Sequence, residues 1–263
     1  MARRLSTAVL GQVREHHASL PSTNDRALAW AREGAPHGAL VTADEQTAGR
    51  GRLGRRWASP AGEGLYASVV LRPAEVYLNG LAGGAGWSPR WSALGLAVGL
   101  GVHMGISRWV PETRLKWPND LLVGRRKLAG VLCETRWQGA TPDVVIGFGI
   151  NVLQRGFSED LNATSLALEL PQEICPGRLE VLNAALVGLE SVLGRFFAGG
   201  FPGIRGAYEA HSAVVGQALT VGGVAAEGVG FDDDGALRVR PPGGGASRRV
   251  ESEDVWLREP DGK

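Results

Sequence analysis

Gly49 to Trp57 reads GRGRLGRRW, four arginines and three glycines in nine residues. Glycines let a loop close its backbone tightly on a ligand, and guanidinium groups pair bidentately with phosphate or carboxylate oxygens. The segment is therefore suited to closing over an anion. Gly49, Gly51 and Gly54 also have the G-x-G-x-x-G spacing of a dinucleotide-binding turn, but that turn must open a helix. Here Trp57-Ala58-Ser59-Pro60 follows, then Gly62 and Gly64, which no helix start accommodates. No G-x-x-x-x-G-K-[ST] segment exists, and an RG-rich nucleic-acid arm would call for a stronger basic excess elsewhere.

A second set of residues narrows the chemistry. Leu115-Lys116-Trp117-Pro118-Asn119-Asp120 is followed, after Gly124-Arg125-Arg126, by Lys127-Leu128-Ala129-Gly130-Val131, and later by Gly147-Phe148-Gly149-Ile150-Asn151. With the arginine loop, and with Ser22-Thr23-Asn24 and Gln46 upstream, this ordered set resembles the biotin protein ligases. Their pattern is GRGR-x-GR, KWPND, a lysine ahead of LAG, then G-x-G-[IV]-N. Each motif is short, but the ordered set is specific, and the resemblance runs from about Ser22 to the C-terminus. Leu53 departs from it, standing where relatives often carry a basic residue; four arginines remain.

The resemblance implies ATP-dependent activation of biotin to biotinyl-5'-AMP, then transfer of biotin to a lysine of a biotin carboxyl carrier protein or domain of a carboxylase. It places Ser22, Thr23, Asn24 and Gln46 at the ureido end of a biotin pocket. Gly49, Arg50, Gly51, Arg52, Lys127 and Gly130 complete that pocket toward the carboxylate. Trp57, Asn119 and Asn151 would flank the adenine, with Arg52, Arg55 and Lys116 at the phosphates. Arg52 and Lys127 would be catalytic, neutralising charge that develops at phosphorus and on pyrophosphate. ATP and Mg²⁺ are the expected cofactors, with Asp120 the candidate magnesium ligand, and no structural metal is expected. The substrate carboxylate is itself the nucleophile, so no serine or cysteine triad is needed. Local sequence leaves plainer readings open: Ser22 to Asn24 as a helix cap, Pro118-Asn119-Asp120 as a turn, Trp57 and Trp117 as core aromatics, Lys127 as a solvated strand residue. The alternatives in function are a lipoate or octanoyl transferase and, from another class, a DNA-binding repressor. With about twenty residues ahead of Ser22, no winged helix is expected.

The whole chain has 263 residues, 28 Lys and Arg against 27 Asp and Glu, and a net charge of +1, which does not suggest a nucleic-acid partner. Cys133 and Cys175 lack C-x-x-C spacing and read as reduced and structural. His16-His17 would diverge on a helix and hold no metal. No signal-peptide or membrane-spanning pattern is expected, Trp91 to Ser107 reading as a core helix. A cytoplasmic enzyme, with homodimerisation possible, fits these features.

The elements that must position these residues follow from periodicity. A helix capped at Ser22 or Thr23 runs to about Glu33, and strands at Ala39–Ala43 and Leu65–Leu71 flank the arginine loop. Residues 79–89 read as a flexible surface insertion. A helix over Trp91–Trp109 precedes a meander of strands at Leu115–Trp117, Leu121–Val123, Lys127–Thr135 and Val144–Val152. A long helix after Pro176 has Leu179, Leu182, Leu186, Leu189, Leu193 and Phe196 on one stripe. Short strands follow at Gln217–Val221, Val224–Phe231, Leu237–Val239 and Val250–Leu257, with Asp232-Asp233-Asp234-Gly235 as turn chemistry. The expected fold is α+β, of the class II aminoacyl-tRNA-synthetase and biotin-ligase type. It has a mixed, mainly antiparallel sheet with packed helices over 1–212 (core about 18–200) and a small SH3-like β-barrel over 213–263.

Overall fold

A computed structural model describes residues 5–72, 91–138 and 141–258; the glycine-rich stretch 79–89 lies outside them. The first sheet has seven strands: β1 (Arg14–Leu20), β2 (Leu40–Gln46), β3 (Gly64–Leu71), β4 (Thr113–Lys116), β5 (Asp120–Val123), β6 (Arg126–Gln138) and β7 (Thr141–Asn151). Their order across the sheet is β1-β2-β3-β7-β6-β5-β4. All neighbours are antiparallel except β1 and β2, which run parallel. The meander β4 to β7 forms as its short turns require.

Alternation in β7 divides the two faces of this sheet. Val144, Ile146, Phe148 and Ile150 point into the main core with Leu65, Val69 and Leu71 of β3. That core is covered by helices α2 (Leu94–Ile106) and, after the short α3 (Leu166–Glu169), α4 (Arg178–Gly199). The glycines of α2 let the two helix backbones meet: a Cβ on Gly105 would lie 2.4 Å from Ala184 O, and one on Gly101 2.7 Å from Leu189 Cα. By length and composition α4 could cross a bilayer, yet Val181, Leu182, Ala185, Leu186, Leu189, Val192, Leu193 and Phe196 are buried in this core. Leu179, expected on the buried stripe, is 43% exposed, because the stripe turns toward Val181, Ala185 and Val192. On the opposite face Val145 and Val70 pack with Ala27, Leu28 and Ala31 of α1 (Thr23–Arg32). Gly147 and Gly149 share that face, Gly147 against Asn24 of α1 and Gly149 against Trp57.

Three further differences from the sequence reading have simple causes. The β1 strand, RE-HH-ASL, lacks apolar alternation because it is an edge strand with both faces partly in water. His16 and His17 therefore lie on a strand, His16 Nε2 at 3.3 Å from Asp44 and His17 Nε2 at 3.1 Å from Glu15. Val250–Leu257 is two short strands, interrupted at Glu251–Asp254. Cys133 lies on β6, where burial pushes its thiol up to about 12, leaving it unreactive at neutral pH.

After α5 (Arg205–Ala210) the chain is tied to β4 by Leu115 N→His211 O and Ala213 N→Leu115 O, both 2.8 Å. It then forms a five-stranded antiparallel sheet of β8 (Ala218–Val221), β9 (Val224–Phe231), β10 (Leu237–Arg240), β11 (Arg248–Val250) and β12 (Val255–Leu257), ordered β11-β10-β9-β8-β12. This sheet docks on the first through Trp117 Nε1, which donates to Gly235 O at 3.0 Å, and Arg125, which donates to Arg258 O at 3.0 Å.

Candidate active site

A cavity of about 390 Å³ opens on the glycine-bearing face of the seven-stranded sheet. It is lined by Ser22, Thr23, Asn24, Gln46, Arg50, Gly51, Arg52, Arg55, Trp57, Lys116, Asn119, Asp120, Lys127, Gly130 and Asn151, so fifteen residues singled out from sequence meet there. Gly49 does not line it. Gly49 serves the loop base instead, where a Cβ would lie 2.5 Å from Trp57 O and 2.8 Å from Ser59 Oγ.

One end is a polar network built at the start of α1. Ser22 is the N-cap, its Oγ accepting from Asp25 N at 3.4 Å. Gln46, at the end of β2, accepts through Oε1 from Thr23 N (2.9 Å) and Thr23 Oγ1 (3.1 Å) and donates through Nε2 to Ser59 Oγ (2.9 Å). Asn24 donates to Leu132 O (3.1 Å) and Glu134 Oε2 (2.8 Å), while Ser68 Oγ lies 2.6 Å from its Oδ1. These buried groups are oriented before any ligand arrives.

The floor is set by strand register. Gly130 of β6 pairs with Gly149 of β7, which pairs with Tyr66 of β3, and Asp120 of β5 pairs with Gly130. With no side chains at 130 and 149, Trp57 lies down on the sheet: a Cβ on Gly149 would be 2.6 Å from Trp57 Nε1, and one on Gly130 would be 3.1 Å from its ring. The buried indole N–H of Trp57 has no hydrogen-bond partner among the described residues. Asn151 donates to Lys127 O (3.3 Å) and Thr164 O (2.9 Å), and Asn119 donates to Val131 O (3.0 Å). Both amides thus brace the strand ends that shape the cavity wall.

The cations differ in their partners. Arg50 is held by Asp25 (2.7 Å) and Glu134 (2.9 Å), and Arg55 by Asp254 (2.6 Å). Lys127 Nζ stands 2.6 Å from Asp120 Oδ1 and 5.1 Å from the Trp57 ring centroid. The guanidinium of half-buried Arg52 has no hydrogen-bond or carboxylate partner within 4 Å among the described residues. Desolvation lowers its pKa from the usual arginine value, opposed by the more distant Asp120 and Asp254. Lys116 sits 4.6 Å from the Trp256 ring centroid, and desolvation likewise depresses its ammonium, against the pull of Asp120. Two desolvated cations without paired anions among the described residues therefore face one cavity.

Sequence reasoning missed three parts of the wall. Gly147 is one: a Cβ there would lie 2.0 Å from Asn24 Oδ1. The others are the segment carrying Gln154, Phe157 and Leu161, and Glu253 to Trp256 of the C-terminal sheet. The first was visible in the G-x-G-I-N motif; the last carries no local signal.

Comparison with known proteins agrees with this geometry. Residues 17–151 match the biotin/lipoate A/B protein ligase family. The chain is 33% identical over 262 residues to the bifunctional ligase/repressor BirA of Bacillus subtilis, covering 96% of this chain and 76% of that protein. It is 35% identical over 242 residues to the biotin--[acetyl-CoA-carboxylase] ligase of Mycobacterium tuberculosis, covering 90% and 86%. Among solved structures, a biotin protein ligase from Aquifex aeolicus in complex with biotin and ATP superposes with a TM-score of 0.75 at 28% identity, over 94% of this chain and 99% of that one.

Proposed function

The chain belongs to the biotin/lipoate A/B protein ligase family, and from that premise we propose that its cavity joins biotin to ATP and hands the biotinyl group to a carrier lysine. The protein is an ATP-dependent biotin ligase. The observation that carries the assignment of roles is the half-buried Arg52, a guanidinium with no partner among the described residues, in a cavity it shares with Lys116 and Lys127.

In the first step a biotin carboxylate oxygen attacks the α-phosphorus of ATP, and the bond from that phosphorus to the pyrophosphate oxygen breaks. Negative charge grows on the equatorial and leaving oxygens, and fixed cations stabilise it without having to reorganise. Arg52 and Lys116 are assigned to the phosphates, and Lys127, steadied by Asp120, to the oxygen shared by carboxylate and phosphorus. The N–H of Trp57 is offered to the adenylate. Ser22, Thr23 and Gln46 are assigned to the ureido end, with Asn24 shaping that end through its bonds to Glu134 and Leu132. In the second step a lysine amine of the carrier domain attacks the acyl carbon, the bond to the AMP oxygen breaks, the nitrogen loses a proton and an amide results.

Magnesium is expected to accompany ATP. Among the described residues no three His, Cys, Asp or Glu side chains converge, and the carboxylates at the cavity are matched: Asp120 by Lys127, Asp254 by Arg55 and Glu253 by Arg248. With no preformed cage among the described residues, the ion would enter on the triphosphate with water completing its shell. We place the catalytic unit in 1–212 and a C-terminal unit in 213–263, the latter closing the cavity with Glu253 to Trp256.

The test is direct. Purified protein with biotin and MgATP should form biotinyl-AMP and release pyrophosphate in a biotin-dependent manner, and Lys127→Ala should slow this by about 10²-fold or more. Pyrophosphate release indifferent to biotin, or calorimetric binding of lipoate in preference to biotin, would overturn the reading.

A further inference from the structure

The tip of the cationic loop carries a residue that the chemistry above does not use. Leu53 has φ 56° and ψ 33°, and it is the one non-glycine residue with positive φ among the described residues. Gly54 follows at φ 72°, and Arg55 N donates to Arg52 O at 3.2 Å, so two left-handed residues close a tight hairpin turn. Asn, Asp and Gly suit such a turn, whereas leucine is strained in it. Below the tip the two arms are joined by Gly51 N→Arg55 O (2.7 Å) and Trp57 N→Gly49 O (2.9 Å). A large apolar side chain, 68% exposed, is thus held in water by a strained backbone at the cavity rim.

Two other exposed apolar side chains lie on the same rim from separate segments, Leu161 at 47% and Trp256 at 55%. The ion pair of Arg55 with Asp254 sets the hairpin beside the segment that carries Trp256 before ATP claims Arg55. We propose that Leu53 is a positioning residue for the intermediate: with the cavity filled, the hairpin tip folds down and Leu53 buries against Leu161 and Trp256. This rests on the ligase reading. The seal acts on one side reaction, in which a water oxygen bonds to the acyl carbon, the bond to the AMP oxygen breaks, biotin and AMP depart, and protons pass to solvent.

Strain and sealing give Leu53 opposite effects that a merely structural residue would not have. In Leu53→Asn the turn is better suited to its backbone, so hydrogen exchange at the Gly51 and Arg55 amides of the free protein should slow. The same variant should leak. With biotin and MgATP but no acceptor, steady pyrophosphate release relative to the initial burst should rise about tenfold or more, as expected for losing the burial of one leucine. Leu53→Met should restore retention. Equal leak ratios in wild type and Leu53→Asn, or faster amide exchange in the variant, would overturn the proposal. Absence of any biotin-dependent burst in the wild type would instead refute the ligase reading on which it rests.

Discussion

Asp254 Oδ2 lies 2.6 Å from Arg55 Nη2, so an ion pair joins residues 199 positions apart and links the C-terminal sheet to the cationic loop. Both side chains are about half exposed, and such a pair contributes about 0–1 kcal/mol to stability. Its importance lies in competition: Arg55 must exchange a carboxylate for a phosphate when ATP enters. Asp254→Asn should leave the thermal midpoint within a few degrees and lower the KM for ATP about two- to fivefold, with Arg55→Ala raising it. An unchanged KM for ATP in Asp254→Asn would show that Arg55 does not meet the phosphates.

Gly147 and Gly149 separate the two ends of the cavity. A methyl at 147 would fall 2.0 Å from Asn24 Oδ1, and Asn24 cannot retreat because both its donors are bound to Leu132 and Glu134. A methyl at 149 would fall 2.6 Å from Trp57 Nε1. Each alanine should cost about 1–3 kcal/mol by overpacking. Gly147→Ala should weaken biotin binding more than nucleotide binding, and Gly149→Ala the reverse. Calorimetry with each ligand checks the crossover, and equal losses of both ligands in both variants would contradict this division of the cavity.

The residues that carry charge and glycine were legible because loops with such compositions have few structural uses. The motifs at 49–57, 115–131 and 147–151 all reach one cavity, and Ser22 caps the helix expected of it. What stayed hidden depends on long-range pairing. Arg14–Leu20 becomes a strand only because β2 offers it a parallel edge, with His16 opposite Thr42 and Leu20 opposite Gln46. The break in Val250–Leu257 has a similar origin: β11 pairs with β10 and β12 with β8, so the chain crosses between opposite edges of the C-terminal sheet at Glu251–Asp254, and no local spacing announces that.

Lys116 should impose a pH dependence on nucleotide binding. Desolvation holds its pKa below the ordinary lysine value in the free protein, and a bound triphosphate would favour the charged form. Affinity is then greatest below the free-state pKa and declines as pH rises through it, with proton uptake on binding in that alkaline range. Lys116→Met should bind ATP more weakly at neutral pH and lose this alkaline decline. Parallel profiles for the two proteins would remove Lys116 from the phosphate site.

His103 should govern a distinct part of acid stability. It is 1% exposed on α2, its Nδ1 lies 2.9 Å from Thr113 Oγ1, and the His211 ring is centred 4.3 Å away. Burial first, then the His211 and Arg114 charges, lower its pKa from 6.5 to about 4. The unfolded chain therefore binds this proton first, so the stability contributed by neutral His103 is complete above pH 6.5 and is lost as pH falls toward 4. The loss over that window is about 3 kcal/mol. Carboxylates such as Glu15, Asp44 and Glu190, whose pKa values are lowered by Arg26, Arg178 and backbone N–H groups, add their own acid sensitivity, mostly at lower pH. Urea midpoints for wild type and His103→Gln at pH 7, 6, 5 and 4 separate the two contributions. The variant starts less stable, and the gap between the curves should narrow steadily below pH 6.5; a constant gap would mean that His103 does not titrate between the folded and unfolded states.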